Sequence, residues 1–238
     1  MKKLLLFMAV ALGLALPAMA QAQESPFSVT LGVRAWYTQW DTFSYRPDGV
    51  PVDQQVIVQS PAKSRFVLIP VLSMRYGDFV STLSVFPSTT YDFVLEDEVD
   101  GKRKEFDINV GYYIAPGVAL TLGYKQFEQS NAETGFRYRL TGPVIGANAT
   151  APLGNNFALY ASFALGRLKP TSSDVDLDAD YKLGEVGVVY SLATPGVTKA
   201  VSFTAGYRTQ VLNSKEAKAG QDARDLTDGV TLGVLVTF

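Results

Sequence analysis

The sequence predicts an all-β fold, a single antiparallel transmembrane β-barrel of ten strands, with eight or twelve as the alternative counts. Three observations predict it. Apolar residues recur at every second position in one segment after another, the period of a strand with one apolar face. The segments outrun soluble strands, whose length peaks near ~5–6 residues, and match the ~9–11 residues of a tilted membrane-crossing strand. The connections alternate between short turns and long polar loops.

The N-terminus stands apart from this pattern. Lys2 and Lys3 precede the apolar run Leu4–Leu16, and the small residues Ala18, Ala20 and Ala22 follow. These are the parts of a secretory signal peptide, expected over residues 1–20 with cleavage after Ala20 or Ala22. The run is shorter than the ~20 residues needed to span a bilayer as a helix. The barrel is then expected over residues 21–238. Removing Lys2 and Lys3 leaves 19 basic against 23 acidic residues, a formal charge of −4.

Ten alternating segments follow: Phe27–Gln39, Arg65–Tyr76, Phe79–Thr89, Glu105–Ala115, Val118–Phe127, Phe136–Ala149, Phe157–Leu168, Tyr181–Leu192, Val201–Leu212 and Thr227–Phe238. Gly77-Asp78, Pro116-Gly117, Pro152–Asn156 and Ala193–Ala200 are rich in turn formers. Thr42–Lys63, Tyr91–Arg103, Glu128–Gly135, Lys169–Asp180 and Asn213–Arg224 are longer and polar. Within them, Ser214–Arg224 reads as a short helix, and Pro143 suggests a bulge in its strand. With an even count, both termini fall on the short-turn side. Aromatic residues gather at both strand ends. Phe27, Tyr76, Phe79, Tyr112, Phe157, Tyr190 and Phe238 lie at one. Tyr37, Phe66, Phe106, Tyr124, Phe136, Tyr138 and Tyr207 lie at the other, as two interfacial girdles require.

The last strand is the cleanest. Val230, Leu232, Val234, Val236 and Phe238 alternate with Thr231, Gly233 and Thr237, Leu235 being the exception, and the chain stops on the aromatic Phe238. Joined to the signal peptide, this strand resembles the terminal strand of small bacterial outer-membrane β-barrels, the broad OmpA, OmpX and opacity-like porin group. The resemblance implies an integral protein of a Gram-negative outer membrane with both termini in the periplasm. It also implies outer-membrane lipid, lipopolysaccharide and the barrel assembly machinery as partners, the last reading the C-terminal strand.

The lipid face must be apolar, so charges of opposite parity are expected to line the lumen. These are Arg34, Arg65, Arg75, Glu105, Asp107, Lys125, Arg137, Arg139, Glu185 and Arg208. Hairpin symmetry sets Glu185 opposite Arg208 and Asp107 opposite Lys125, where opposite charges can pair. Seven basic residues against three acidic ones describe a mildly anion-preferring lining. The leading functional expectation is a narrow, passive, porin-like channel for small solutes, with Arg34, Arg75 and Arg208 carrying the preference. The alternative is a closed structural or surface-interaction barrel, an adhesin or lipopolysaccharide binder working through its long outer loops. Eight strands fill with side chains and 16–18 leave a pore, so ten sit near the closed end.

Composition excludes much else. The chain has no His and no Cys. Triads, imidazole acid–base chemistry, zinc sites and disulfides therefore have no residues to work with. No enzyme and no cofactor are expected. The negative charge argues against a nucleic-acid partner, and a monomer is the favoured assembly. Asp174, Asp176, Asp178 and Asp180 would share a face on an extended strand, a weak divalent-metal candidate, since oxygen clusters suit calcium. Asp92, Glu96, Asp97, Glu98 and Asp100 form a second acidic stretch.

Overall fold

The computed structural model describes residues 27–46, 56–94, 100–131, 135–174, 176–218 and 221–238. The expected signal peptide, part of the Thr42–Lys63 loop and Glu96–Glu98 lie outside them. The described residues form strands joined by turns and loops, without a helix. The strands are β1 (Phe27–Arg46), β2 (Val56–Pro61), β3 (Arg65–Tyr76), β4 (Phe79–Tyr91), β5 (Gly101–Ala115) and β6 (Val118–Asn131). After them come β7 (Arg137–Gly154), β8 (Phe157–Pro170), β9 (Ala179–Ala193), β10 (Ala200–Lys218) and β11 (Gln221–Thr237).

Ten of these strands pair in sequence, and β11 closes on β1. The seam runs unbroken from Thr30↔Thr237 to Phe43↔Arg224. Closure leaves no unpaired edge, which lipid cannot satisfy. β2 is the eleventh strand and lies outside the ring. It pairs only with the far end of β1, Asp41↔Pro61 to Arg46↔Val56, in a stretch that the sequence assigns to a loop. Ala62 then donates to the Trp40 carbonyl at 2.8 Å, and Val94 to the Pro61 carbonyl at 3.0 Å.

Turn chemistry fixes the short end. Pro116-Gly117 links the paired Ala115 and Val118, with Gly117 at φ +75°. A proline followed by a residue of positive φ is the type II arrangement. Asn155 and Asn156 both have positive φ and join β7 to β8, as a type I′ hairpin needs. At the other end the strands run past the membrane. β10 and β11 pair as far as Lys218↔Gln221, so the helix expected over Ser214–Arg224 is instead a hairpin arm. Pro143 does not make a bulge. Leu140↔Pro170, Thr141↔Lys169 and Val144↔Gly166 keep one register across it, and the proline only interrupts the pairing.

The exterior is apolar where it crosses the bilayer. Leu68, Leu122, Ile145 and Val186 are about 60% exposed on four different strands. Such a band is unsuited to water and suited to hydrocarbon. Phe27, Tyr76, Phe79, Tyr112, Phe157 and Phe238 edge it at the short-turn end, and Tyr37, Phe66, Phe106, Tyr124, Phe136 and Tyr207 toward the other. Tyr138 is not in that girdle. It is buried inside the barrel, donating to the Leu177 carbonyl at 2.8 Å and bonding Ser214 Oγ at 3.1 Å. The geometry makes this chain a β-barrel membrane protein.

Candidate functional site: the occluded lumen

Side chains fill the long-loop half of the interior. Two apolar clusters face each other there. One holds Phe127, Leu140, Leu168, Tyr181 and Leu212, the other Trp36, Trp40, Val67, Phe86 and Tyr91. Between them runs a chain of charges. Arg103 binds Glu105 and Thr227. Lys125 binds Glu105 and both oxygens of Asp107, at 2.9 and 3.1 Å. Gln210 donates to Glu105 Oε1 at 2.9 Å. The side chains of Arg103, Glu105 and Lys125 are only 1–2% exposed.

Aromatic faces cover these cations. The Arg103 guanidinium lies 4.7 Å from the Phe127 ring centre and 5.6 Å from that of Phe86. Lys125 Nζ stands 4.7 Å over Tyr181. Ring faces attract cations more strongly where water is excluded. Above this layer, Asp225 accepts from Gln129 at 3.0 Å and Trp40 at 3.3 Å, and burial raises its carboxyl above the ordinary range. Tyr138 sits at the same end, and burial pushes its phenol up to about 12.

A second cluster lies nearer the short-turn end. Glu185 Oε2 meets Arg34 Nη1 at 3.0 Å and Arg208 Nη1 at 3.5 Å, while Tyr160 donates to Oε1 at 2.9 Å. Arg208 stacks 5.0 Å from the Trp36 ring. A cavity of about 340 Å³ adjoins this cluster, lined by Arg34, Asp107, Asn109, Thr121, Asn148 and Glu185 among others. Its walls mix these polar groups with apolar ones such as Val71, Val80 and Leu183.

Six of the ten charges expected in the lumen thus come together inside: Arg34, Glu105, Asp107, Lys125, Glu185 and Arg208. Two stand at its mouths. Arg65 pairs with Asp92 at the long-loop end. Arg75 caps the Gly77 carbonyl at the other, its guanidinium 4.6 Å over Tyr113. Arg137 and Arg139 are corrections. Tyr138, Leu140 and Val144 are the buried residues of β7, so the two arginines point outward. Both converge on Glu128, Arg137 at 3.3 Å and Arg139 at 3.8 Å. They stand beyond the hydrocarbon band, where outward charge costs nothing.

Sequence reasoning missed Arg103, which it placed at the end of a loop. The signal was present, because Arg103, Glu105 and Asp107 share one parity. Three of the four aspartates of the 174–180 stretch are held by the protein itself. Asp174 accepts from the Arg137 amide at 2.7 Å, Asp178 meets Arg167 at 3.3 Å, and Asp180 meets Lys215 at 3.2 Å. Among the described residues no group of three or more acidic side chains is placed to hold a metal ion.

No family model matches the chain, and no curated protein sequence matches it. Solved structures do. The outer-membrane protease OmpT of Escherichia coli aligns over 93% of this chain and 100% of its own, with 12% identity and a TM-score of 0.49. The β domain of the Bordetella autotransporter BrkA aligns over 89% and 99%, with 13% identity and a TM-score of 0.41. Neisserial surface protein A aligns over 90% and 98%, with 15% identity and a TM-score of 0.35. At these identities the likeness is one of fold, and it selects no one group of barrels.

Proposed function

We propose that this is a bacterial outer-membrane barrel, closed across its outer half, that acts at the cell surface through its long-loop end. One observation carries the reading. Arg103, Glu105 and Lys125 span the lumen between two apolar clusters with almost no exposed surface. A conducting pore keeps its charges wet; these are bonded to one another and capped by rings. Both termini are then periplasmic, and the 340 Å³ cavity lies on the periplasmic side of the occluding layer. The assembly machinery reads the outward row Val230, Leu232, Val234, Val236 and Phe238.

We assign the contact surface to the long stretch Thr42–Lys63, whose described parts are the paired ends of β1 and β2. Deleting residues 47–55, which leaves Ala62 in its buried place, removes partner binding and spares folding. The lumen itself is read as structural, with no catalytic step.

The second reading is the narrow, mildly anion-preferring channel. The cavity favours it, since Arg34 and Arg208 keep part of their surface open. Conductance of the refolded protein in a planar bilayer separates the two. A closed barrel is silent while still shifting its gel mobility on heating. Stable steps with anion selectivity, altered when Arg34 and Arg208 become Gln, would establish the channel instead.

A further inference from the structure

The outward charges form an ordered patch. Strand register aligns Lys102, Ser130 and Arg137 in one row across β5–β6–β7, and Lys104, Glu128 and Arg139 in the next. Directly below come Phe106, Gln126 and Thr141, then Ile108, Tyr124 and Pro143. The patch therefore sits just beyond the aromatic girdle, at head-group height. Lys169, opposite Thr141, extends it onto β8.

Among the described residues its charge is not balanced. Lys104, Arg137 and Arg139 all approach the one carboxylate of Glu128, at 3.1, 3.3 and 3.8 Å. Arg139 also donates to Gln126 Oε1 at 2.8 Å, and Asp174 accepts from the Arg137 amide at 2.7 Å. Among the described residues five cations then face two carboxylates. Glu128 is buried under its partners, while Lys104 and Arg137 remain half exposed. The carboxylate spreads the cations and leaves their outer donors to solvent or lipid. At a similar height the other side of the barrel presents Thr209, Asp228 and Gln39 in one row. That row carries no cation.

We infer that Lys102, Lys104, Arg137, Arg139 and Lys169 seat the phosphate groups of a lipopolysaccharide molecule, whose acyl chains lie on the apolar wall beneath. Phosphate oxygens accept from guanidinium and ammonium groups in short, charge-assisted bonds, and basic side chains at the interface are favoured by anionic lipid. The seat is on the barrel wall, distinct from the loop contact surface. It rests on the reading of the long-loop end as the outer side, and not on whether the lumen conducts.

The test uses the full refolded barrel in phosphatidylcholine nanodiscs, with bisphosphorylated lipid A or its dephosphorylated form, and bound lipid read by native mass spectrometry. Lipid A is expected to be retained and its dephosphorylated form lost. Lys104→Gln with Arg137→Gln should weaken retention about ten-fold or more, since each charge-assisted bond is worth at least that factor. Glu128→Gln, which removes a competing anion, should tighten it, and Lys199→Gln at the far rim should leave it unchanged. If the double variant does not fold, Arg137→Gln alone carries the comparison. Equal retention of both lipids, or no loss in the variants while heat-modifiable folding persists, overturns the seat. Full displacement by millimolar inorganic phosphate would show a free-phosphate site and overturn the lipid assignment. Conductance is read separately, so an open lumen leaves this result standing.

Discussion

Arg208 and Glu185 stand directly opposite each other across β9 and β10, with Arg208 Nη1 3.5 Å from Glu185 Oε2. That same oxygen holds Arg34 from β1, across the lumen, at 3.0 Å. One carboxylate therefore ties a local hairpin to the strand that closes the barrel. Glu185→Gln leaves two guanidinium groups facing one neutral amide. Breaking a buried pair from one side costs about 3–5 kcal/mol, and the low end applies, because both arginines border the open cavity. The expected loss is about 3 kcal/mol in urea unfolding. Arg208→Gln on top of it should add little, since the pair is already broken. Additive losses would show that the two residues do not act together.

The hairpin pairs Glu185–Arg208 and Asp107–Lys125 were legible because both follow from turn position and parity alone. The ten strands were legible for the same reason. Parity failed at Arg137 and Arg139, where it assumed a lipid face. The strand continues past the membrane there, and the outward side tolerates charge while the inward side takes Tyr138 and Leu140. The strand count placed the barrel near the closed end, but the residues that occlude it were not legible. The occlusion depends on side chains from β1, β4, β6, β9 and β10 meeting across the lumen, and Trp40, Phe86, Phe127, Tyr181 and Leu212 carry no local sign of that meeting.

Tyr138 offers a measurement of the interior beyond the membrane. Tyr138→Phe removes hydrogen bonds to Ser214 and to the Leu177 carbonyl, a loss of about 1–2 kcal/mol at neutral pH. The native phenol is raised to about 12, above the ~10 of an unfolded tyrosine. The neutral form is thus favoured by folding. Its contribution is complete below about pH 10 and declines as pH rises toward 12. The wild type should lose stability across that window more steeply than the variant. Equal slopes would mean that Tyr138 is as accessible folded as unfolded.

Phe238 closes the ring as well as ending it. Its amide donates to the Val29 carbonyl at 2.8 Å, and its carbonyl accepts from Val29 at 3.2 Å. Deleting it removes two seam bonds of roughly 1 kcal/mol each. Refolding in detergent should survive, because the seam retains its pairs from Thr30↔Thr237 onward. Assembly in cells should fall much further if the machinery reads the terminal aromatic. The fraction of heat-modifiable protein in isolated outer membranes, set against refolding yield, distinguishes the roles. Parallel losses in the two would assign Phe238 to closure alone.

Gly229 tests the seam from within. It lies on β11 with φ at +152°, inside the range that side-chain-bearing residues rarely adopt. A Cβ placed there would stand 1.9 Å from the Tyr37 carbonyl oxygen and 3.0 Å from the Thr38 Cα, both backbone atoms of β1. Neither can rotate aside as a side chain would. Gly229→Ala must therefore push β1 and β11 apart where the barrel closes, near the layer of Thr38 and Trp40. Substitutions that force a side chain onto a positive φ lose more than the about 0.4–1 kcal/mol that alanine gains elsewhere, and the backbone contact adds to that. The expected result is a net destabilisation above about 1 kcal/mol in urea unfolding. Gly184→Ala is the matched control, because its added Cβ meets only Thr209 Cγ2, at an ordinary 3.6 Å. If both alanines were tolerated equally, the close approach of β11 to Tyr37 would not limit closure.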